Sequence, residues 1–375
     1  MALGFGIVLP AIPVFARSFG VNNAAVGLIV SAFAVARFCS GLISGKLVDL
    51  FGERAVFSSG VAMVSLFTLL AGLATSYHQL LIFRSAGGLG SSMFSVAAGS
   101  VIMRSVEDEH RGRAQSLYNG AFLIGGITGP AIGGLLTLIS LRAPFFAYSF
   151  ALAISGLVAF FFLKGANLGK RIKTSTTIAH TTIREALHLR PYRYALIMSF
   201  LITWVLFGLR SSVLPIFVTE SLHSTAAVVG YGFTLSAIFQ GMLLLRAGKI
   251  SDTRGRRFAA IIGCLVVVIG VAVMVFTIHP WMYLLSMSIL GIGGAYLSTV
   301  PATVVGDVIE GKGGQVIALS QMAGDAGMMV GPVTVGAIAD AFSYRTAFAS
   351  TGLIFLIAVV LAFRLPETRG AYLPQ

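Results

Sequence analysis

The chain has 375 residues, of which 57% are hydrophobic and only 10% charged, and its mean hydropathy is +0.92. A soluble fold of this composition would have far more apolar surface than its core could bury, so soluble classes are excluded. Apolar runs of about 20 residues, each able to cross the roughly 30 Å hydrocarbon core of a bilayer, recur along the chain. One signal peptide cannot explain them, and the composition predicts an all-α, multi-pass membrane protein.

Twelve spans are predicted, in two sets of six joined by a long linker at 165–192. Within the linker, 183–189 is predicted to form a short amphipathic helix on the membrane surface. We therefore expect an N-terminal six-helix bundle at 1–164 and a C-terminal one at 193–375. The spans are placed at about 1–19, 24–45, 55–74, 79–104, 114–139, 143–164, 193–219, 226–247, 257–278, 281–305, 314–341 and 343–365.

The net charge of +13 is distributed unevenly between the predicted loops. Of the 26 Lys and Arg, only Arg17, Arg142 and Arg345 follow odd-numbered spans. Because positive loops resist translocation, both termini are predicted to be cytoplasmic, and the basic loops should also attract anionic membrane lipid. A nucleic-acid partner is not expected, since no basic patch is accompanied by stacking aromatics.

The sequence carries no pattern for catalysis, a metal or a cofactor. Cys39 and Cys264 lie inside apolar spans without a C-x-x-C neighbour, and the six His lack ligand spacing. Neither a nucleophile elbow nor a phosphate-binding loop is found, so an enzyme with a bound cofactor is not expected.

Pro10 and Pro13 are predicted to kink span 1 near its outer end, and span 1 has a counterpart in span 7. Pro215 follows Pro13 by 202 residues, and aligning the two makes span 7 begin earlier than span 1 can. We therefore expect that the N-terminal part of the first helix is missing from this sequence.

A charged ten-residue segment lies between spans 2 and 3 and recurs between spans 8 and 9. The copies read GKLVDLFGER and GKISDTRGRR, and both follow the pattern G-x-x-x-D-x-x-G. Asp49 and Asp252 are 203 residues apart, which indicates a duplicated chain, and termini on one side make the repeat parallel. Each segment is predicted as a polar turn whose carboxylate accepts from backbone N–H groups or pairs with Arg.

Four charged residues are predicted inside the membrane. A charge at the bilayer centre costs at least about 2.5–3.5 kcal/mol on a lone helix, so each should face protein or water. Asp325 alone can exchange a proton near neutral pH, because burial favours the neutral carboxyl whereas Arg stays charged. The other three are Arg37, Arg84 and Arg210.

Span 5 carries a glycine–proline motif that is echoed in span 11, where Pro332 follows Pro130 by 202 residues. Glycines four apart let helix backbones approach closely, and a proline frees a carbonyl and kinks the helix. The motif residues are Gly125, Gly129, Pro130, Gly133, Gly134, Gly331 and Pro332.

These features resemble those of major facilitator superfamily transporters, most closely the drug:proton antiporter branches. The resemblance rests on GKISDTRGRR, on Arg84 in span 4 and on the span 5 motif, Gly125 to Gly134. Departures are Leu50 and Glu53, which replace basic residues in the first charged segment, and Gly87, which stands where a Gln is common. The resemblance implies twelve helices in two pseudo-symmetric six-helix bundles that rock about a cavity lined by spans 1, 4, 7 and 10.

The resemblance also implies roles for individual residues. Asp325 would couple protons, tuned by Arg37 and Arg84, and because spans 2 and 11 face each other in the family, a static Arg37–Asp325 ion pair is the alternative. The charged segments would latch the cytoplasmic side, with Asp49 and Arg54 as a gating pair, unless they act only in topology and turn formation. The latch residues are Gly45, Asp49, Gly52, Arg54, Gly248, Asp252, Gly255, Arg256 and Arg257.

The predicted function is proton-coupled efflux of small lipophilic or drug-like compounds. An aromatic cavity suits such substrates, although most aromatics in a membrane core serve packing. The aromatic candidates are Phe83, Phe94, Tyr118, Phe207, Phe233, Phe239 and Tyr296. The cavity residues singled out are Arg210, Phe207 and Tyr296. Arg84 and Arg210 could instead favour an anionic or nutrient solute carried by a symporter or facilitator. A channel or receptor is disfavoured because channels do not need two gated halves. Expected partners are a small-molecule substrate, protons and lipid, for a monomer in the cell membrane.

Overall fold

The structure, a computed structural model, describes residues 2–105, 111–162, 183–308 and 314–368. All regular structure in these ranges is helical, and ten of the helical segments are long and apolar enough to cross a membrane. The helices are α1 (Ala2–Val8), α2 (Ala11–Arg17), α3 (Asn23–Phe51), α4 (Glu53–Leu73), α5 (Tyr77–Ser105), α6 (Arg111–Ile139), α7 (Ala143–Phe162), α8 (Ile183–His188), α9 (Arg190–Gly208), α10 (Leu214–Ile216), α11 (Ala226–Arg254), α12 (Arg256–Val275), α13 (Pro280–Leu297), α14 (Val300–Val308), α15 (Gly314–Ala341) and α16 (Tyr344–Arg364).

The chain divides into two compact units. Unit 1 comprises Met1–Val21 and Leu28–Ser175, and unit 2 comprises Asn22–Gly27 and Thr176–Gln375, so α3 begins in unit 2 and continues into unit 1. Residues 165–182 of the predicted linker lie outside the described residues. The short helix expected at 183–189 is confirmed as α8.

The prediction of polar turns at the two charged segments was wrong for most of each segment. The preceding helices α3 and α11 continue through them, and a single residue, Gly52 or Gly255, separates each from the next helix. Both glycines have left-handed φ values, 80° and 105°, which glycine adopts without a Cβ clash. A 29-residue helix is about 43 Å long, so α3 and α11 exceed the hydrocarbon thickness and keep their polar ends helical outside it.

Prolines break two of the predicted spans. Span 1, where the sequence predicted a kink, is broken between α1 and α2 at Leu9 and Pro10. Span 10, which was predicted as one helix, is instead split into α13 and α14. Pro301 has no N–H to donate to the carbonyl of Leu297, and its ring clashes with that carbonyl in a continuous helix.

Span 7 departs from a regular α-helix at two π-helical turns, Leu209–Val213 and Phe217–Ser221. They flank the three-residue α10, which contains Pro215. The wider turn is closed by a hydrogen bond from Leu222 N to Phe217 O, a five-residue step. Such turns are rare and occur frequently near functional sites.

The glycine–proline motifs lie where two helices of the same unit touch. In unit 1, a Cβ on Gly133 would collide with the backbone of Ile7 in α1, and Gly6 faces Gly129 and Pro130. In unit 2, a Cβ on Gly331 would press on the backbone of Trp204 in α9. Each motif therefore allows the backbones of two helices to approach within van der Waals distance, as the sequence predicted.

Candidate functional site

The best-defined polar site is the charged elbow of unit 2, formed by Asp252, Gly255, Arg256, Asp307, Glu367 and Thr368. Arg256, the first residue of α12, donates from Nη1 to Asp252 Oδ1 (2.5 Å) and from Nε to Asp307 Oδ2 (3.0 Å). The side chain of Asp252 is 67% exposed and that of Asp307 is 24% exposed. Because exposed pairs are screened by solvent, the Arg256–Asp307 pair is the stronger of the two.

Glu367 caps the helix that begins in this elbow. Its two carboxylate oxygens accept hydrogen bonds from the backbone N–H groups of Arg256 (2.8 Å) and Arg257 (3.2 Å). These N–H groups have no partner inside α12, and the helix N-terminus favours a negative charge. This position favours glycine for its φ, and a Cβ on Gly255 would in addition displace the Glu367 carboxylate from its place at the start of α12.

The sequence left open whether the carboxylate of the charged segment binds backbone N–H groups or an Arg, and the elbow of unit 2 answers this. It also contains three residues that the sequence reasoning missed, Asp307, Glu367 and Thr368. Asp252 pairs with Arg, whereas the backbone N–H groups are bound by Glu367. Thr368 Oγ1 donates to Asp307 Oδ2 (2.7 Å), which ties the segment after α16 to α14. The signal for these contacts in the sequence was only the presence of acidic residues at the ends of spans 10 and 12.

The corresponding elbow of unit 1 is built differently. Arg54 donates from Nε to the carbonyl oxygen of Phe160 (2.9 Å), and its guanidinium carbon lies 4.3 Å from the centre of the Phe160 ring. Glu53 is buried, at 3% exposure. The side chain of Asp49 lies outside the described residues, so the Asp49–Arg54 pair stays a prediction.

The remaining glycines of the two charged segments lie inside helices and in open surroundings. A Cβ on Gly45 or on Gly248 would meet no atom within 4 Å, and neither glycine has a positive φ. Neither position requires glycine in this structure.

The two arginines that lie deepest among hydrophobic helices have similar surroundings. Arg84 in α5 is 6% exposed, with its guanidinium carbon 4.8 Å from the centre of the Phe33 ring in α3. Arg210 in the first π-helical turn is partly buried and lies at the same distance from the Phe233 ring in α11. Among the described residues, the Nε atoms of both are buried and have no hydrogen-bond partner.

The other predicted membrane residues are more accessible. Arg37 in α3 and Asp325 in α15 are both partly exposed, and the carbonyl of Gly324, next to Asp325, accepts from Thr203 Oγ1 (2.7 Å). The Arg37–Asp325 pair stays a prediction.

The three predicted cavity residues do not form one cluster in unit 2. Phe207 lies one helical turn before Arg210 in α9. Tyr296 lies in α13, thirteen residues after Tyr283, and this spacing corresponds to about 20 Å along the helix. Tyr283 is the tyrosine that lies near Arg210. The structure brings Arg210 together with Phe233, which is one of the predicted aromatic candidates, and with Tyr283, which the sequence reasoning did not select.

A further carboxylate, Asp340 near the end of α15, binds the first turn of α3. It accepts from the backbone N–H groups of Asn23 (2.9 Å) and Ala24 (2.7 Å). The helices α15 and α3 pack closely at two further points. A Cβ on Gly336 of α15 would press on the backbone of Asn23, and a Cβ on Gly27 of α3 would collide with the carbonyl of Pro332. The sequence reasoning did not select Asp340.

Comparison with known proteins gives this architecture a family. The model of the Major Facilitator Superfamily matches residues 1–217 and 207–374. Multidrug resistance protein 1 of Bacillus subtilis is 24% identical, over 97% of this chain and 93% of the relative. Tetracycline resistance protein, class E, of Escherichia coli is 27% identical, over 97% and 92%. These two relatives agree with the resemblance to the drug antiporter branches.

A solved structure supports the fold independently of close sequence similarity. A bacterial homologue of the human lysosomal transporter Spinster has a TM-score of 0.82 at 18% identity, over 97% of this chain and 93% of that chain. The ten membrane-spanning helices, the glycine–proline motifs and the match of the family model along almost the whole chain agree. The chain therefore belongs to the Major Facilitator Superfamily and is a multi-pass membrane transporter.

Proposed function

We propose that this transporter exports small lipophilic compounds in exchange for protons, by alternating access between two six-helix bundles. Support comes from the similarity, across almost the whole chain, to proteins named for multidrug and tetracycline resistance. We place it in the cell membrane as a monomer surrounded by lipid. Both termini lie in the cytoplasm in this proposal, because of the uneven distribution of Lys and Arg between the predicted loops.

The observation that carries proton coupling is the position of Asp325. It lies within the span Leu319–Ala341, and among the spans that the structure describes it is the only Asp or Glu more than two residues from a span end. Its side chain is partly exposed, so water can deliver a proton to it. A carboxylate at this depth gains or loses a proton at a much lower cost than it keeps a buried charge.

We assign the remaining sites in the same scheme. Arg37 and Arg84 tune the protonation of Asp325. The charged elbow of unit 2, which joins α11, α12, α14 and the segment after α16, acts as a gating latch whose Asp252–Arg256 contact opens and closes. Its counterpart in unit 1, with Gly45, Asp49, Gly52 and Arg54, has the same gating role. Breaking and re-forming such charged contacts is a recognised basis for two-state rigid-body switching.

The decisive experiment measures proton-driven transport in liposomes that contain the purified protein. With Nile red, an uncharged lipophilic dye, as the substrate and an imposed pH gradient, we expect saturable dye export accompanied by proton movement in the opposite direction. Asp325→Asn should abolish the effect of the gradient while dye binding remains. Gln321→Ala, one turn earlier on the same helix and exposed, is the matched control and should behave as wild type.

A second candidate is a symporter or facilitator for an anionic solute, and the surroundings of Arg84 and Arg210 favour it. The direction of proton flow separates the two candidates. Export by exchange moves protons against the direction of the substrate, whereas symport moves both in the same direction.

Export of Nile red that is undiminished in Asp325→Asn would contradict the assignment of Asp325.

A further inference from the structure

The guanidinium of Arg210 occupies a position in unit 2 that prepares it to bind an anion. It projects from the π-helical turn Leu209–Val213, whose other four residues are all buried. One face of the guanidinium is covered by the Phe233 ring, with the guanidinium carbon 4.8 Å from the ring centre. This cation–π contact covers a face of the planar group, whose N–H donors lie in its plane, and the residue as a whole is only partly buried.

Arg210 has no acidic partner in the part of the chain that the structure describes. Its Nε is buried without a hydrogen bond, and no described carboxylate lies within ion-pair distance of it. The Tyr283 hydroxyl, which lies near the guanidinium, donates its own proton to the carbonyl oxygen of Val229 (3.1 Å). Taking a charged group out of water without a counter-charge is costly, so an anion from outside would stabilise this arrangement.

The proton-coupling candidate Asp325 does not supply that counter-charge. Thr203 of α9 donates a hydrogen bond to the carbonyl of Gly324, the neighbour of Asp325. Asp325 therefore lies beside Thr203 along the axis of α9. Arg210 follows Thr203 by seven residues, or about 10 Å along the helix axis, beside the part of α15 where Gly208 contacts Gly331 and Val335. The two charges therefore lie at different depths and can serve different partners.

We propose that Arg210 binds the carboxylate of the transported compound, so that the preferred substrates are lipophilic weak acids in their anionic form. A carboxylate matches the fork of guanidinium donors and can accept two parallel hydrogen bonds. The apolar body of such a compound would lie against the aromatic side chains beside Arg210. This inference rests on the proposed transport function and narrows its substrate class.

The test compares three probes of one size that differ in charge: 2-naphthoate, 2-naphthamide and 2-naphthylmethylamine. Binding to the purified full-length chain in detergent is measured by quenching of tryptophan fluorescence. We expect 2-naphthoate to bind at least about tenfold more tightly than the neutral and cationic probes. Arg210→Gln should weaken 2-naphthoate alone, by about 10- to 100-fold, because a hydrogen bond to a charged group is lost.

Two further variants keep the test decisive. Arg246→Gln removes an exposed charge from α11 and should leave all three affinities unchanged. Arg210→Lys keeps the charge but loses the fork, so it should retain the preference for the acid with about tenfold lower affinity, and it serves if Arg210→Gln does not fold. Equal binding of the three probes, or 2-naphthoate binding that neither Arg210 variant weakens, would overturn the proposal.

The outcome is separable from that of the transport proposal. Proton-driven export of Nile red without any preference for the acid would refute the assignment of Arg210 and leave the transport function intact. Arg210-dependent binding of 2-naphthoate with no proton-driven movement of any substrate would refute the transport function and support the site.

Discussion

Asp340 and Asn23 are 317 residues apart in the chain and are joined by two hydrogen bonds. The Oδ1 atom of Asp340 accepts from the backbone N–H (2.9 Å) and from the Nδ2 (2.7 Å) of Asn23, while Oδ2 accepts from Ala24 N. Asn22 accepts from the next two N–H groups, those of Ala25 through Oδ1 and of Val26 through its carbonyl. The N–H groups of Asn23, Ala24 and Ala25, which lack a helical partner, are therefore bound by side chains, and Val26 makes the first helical bond.

Removing the Asp340 carboxylate should destabilise the start of α3. We expect Asp340→Ala to lower the free energy of unfolding by about 1–2 kcal/mol, because two helix N–H groups and one amide lose a charged acceptor. Asp340→Asn keeps one carbonyl oxygen and should cost less. Thermal unfolding of the purified protein in detergent measures the order, and an Ala variant as stable as wild type would show that water replaces the carboxylate without loss.

Alanine should have opposite effects at two glycines of the second charged segment. Gly255→Ala places a Cβ at φ 105° and against Glu367, and should destabilise the protein by about 1–2 kcal/mol or more. Gly248→Ala lies inside α11 with open space around it, and should be neutral or stabilising by up to about 1 kcal/mol. The midpoint of thermal unfolding distinguishes them, and equal shifts would contradict the elbow geometry.

The two acidic partners of Arg256 should contribute unequally to stability. Asp307→Asn removes a charge that accepts from both Arg256 and Thr368, and after allowance for partial exposure we expect a loss of about 1–2 kcal/mol. Asp252→Asn removes a mostly exposed pair and should cost less than about 1 kcal/mol, with a further decrease in high salt. A larger loss for Asp252→Asn would reverse the order inferred from exposure.

The charged elbow should also affect transport. We expect Asp252→Asn to slow Nile red export in liposomes while the amount of inserted protein stays unchanged, because the Asp252–Arg256 contact is proposed to open and close in each cycle. Asp49→Asn tests the same role in unit 1. Wild-type transport rates in both variants would remove the latch role from these residues.

What could be predicted from the sequence depended on the range of the interaction. Twelve spans were predicted from hydropathy, and ten described segments are long and apolar enough to cross a membrane. The repeated glycines indicated the close helix contacts, but not that each charged segment is helical up to a single-residue elbow. Pro301 is visible in the sequence, but the helix break before it was not predicted, because a hydropathy window tolerates a proline.

Contacts between distant residues could not be predicted in this way. Glu367 binds the backbone N–H of Arg256, which lies 111 residues earlier in the chain, and nothing in the local sequence of either residue specifies the pairing. The lack of a described acidic partner for Arg210 is likewise visible only in three dimensions, because the sequence shows which charges exist and not which of them meet.

The cap that Glu367 forms on α12 has a practical consequence for handling the protein. The residues after α16 follow the last predicted span, and a fusion or a deletion would ordinarily be made there. Ending the polypeptide at Leu365 would instead expose the start of a helix more than a hundred residues upstream. Affinity tags for purification should therefore be attached after Thr368, and loss of yield on trimming this end would reflect an uncapped α12.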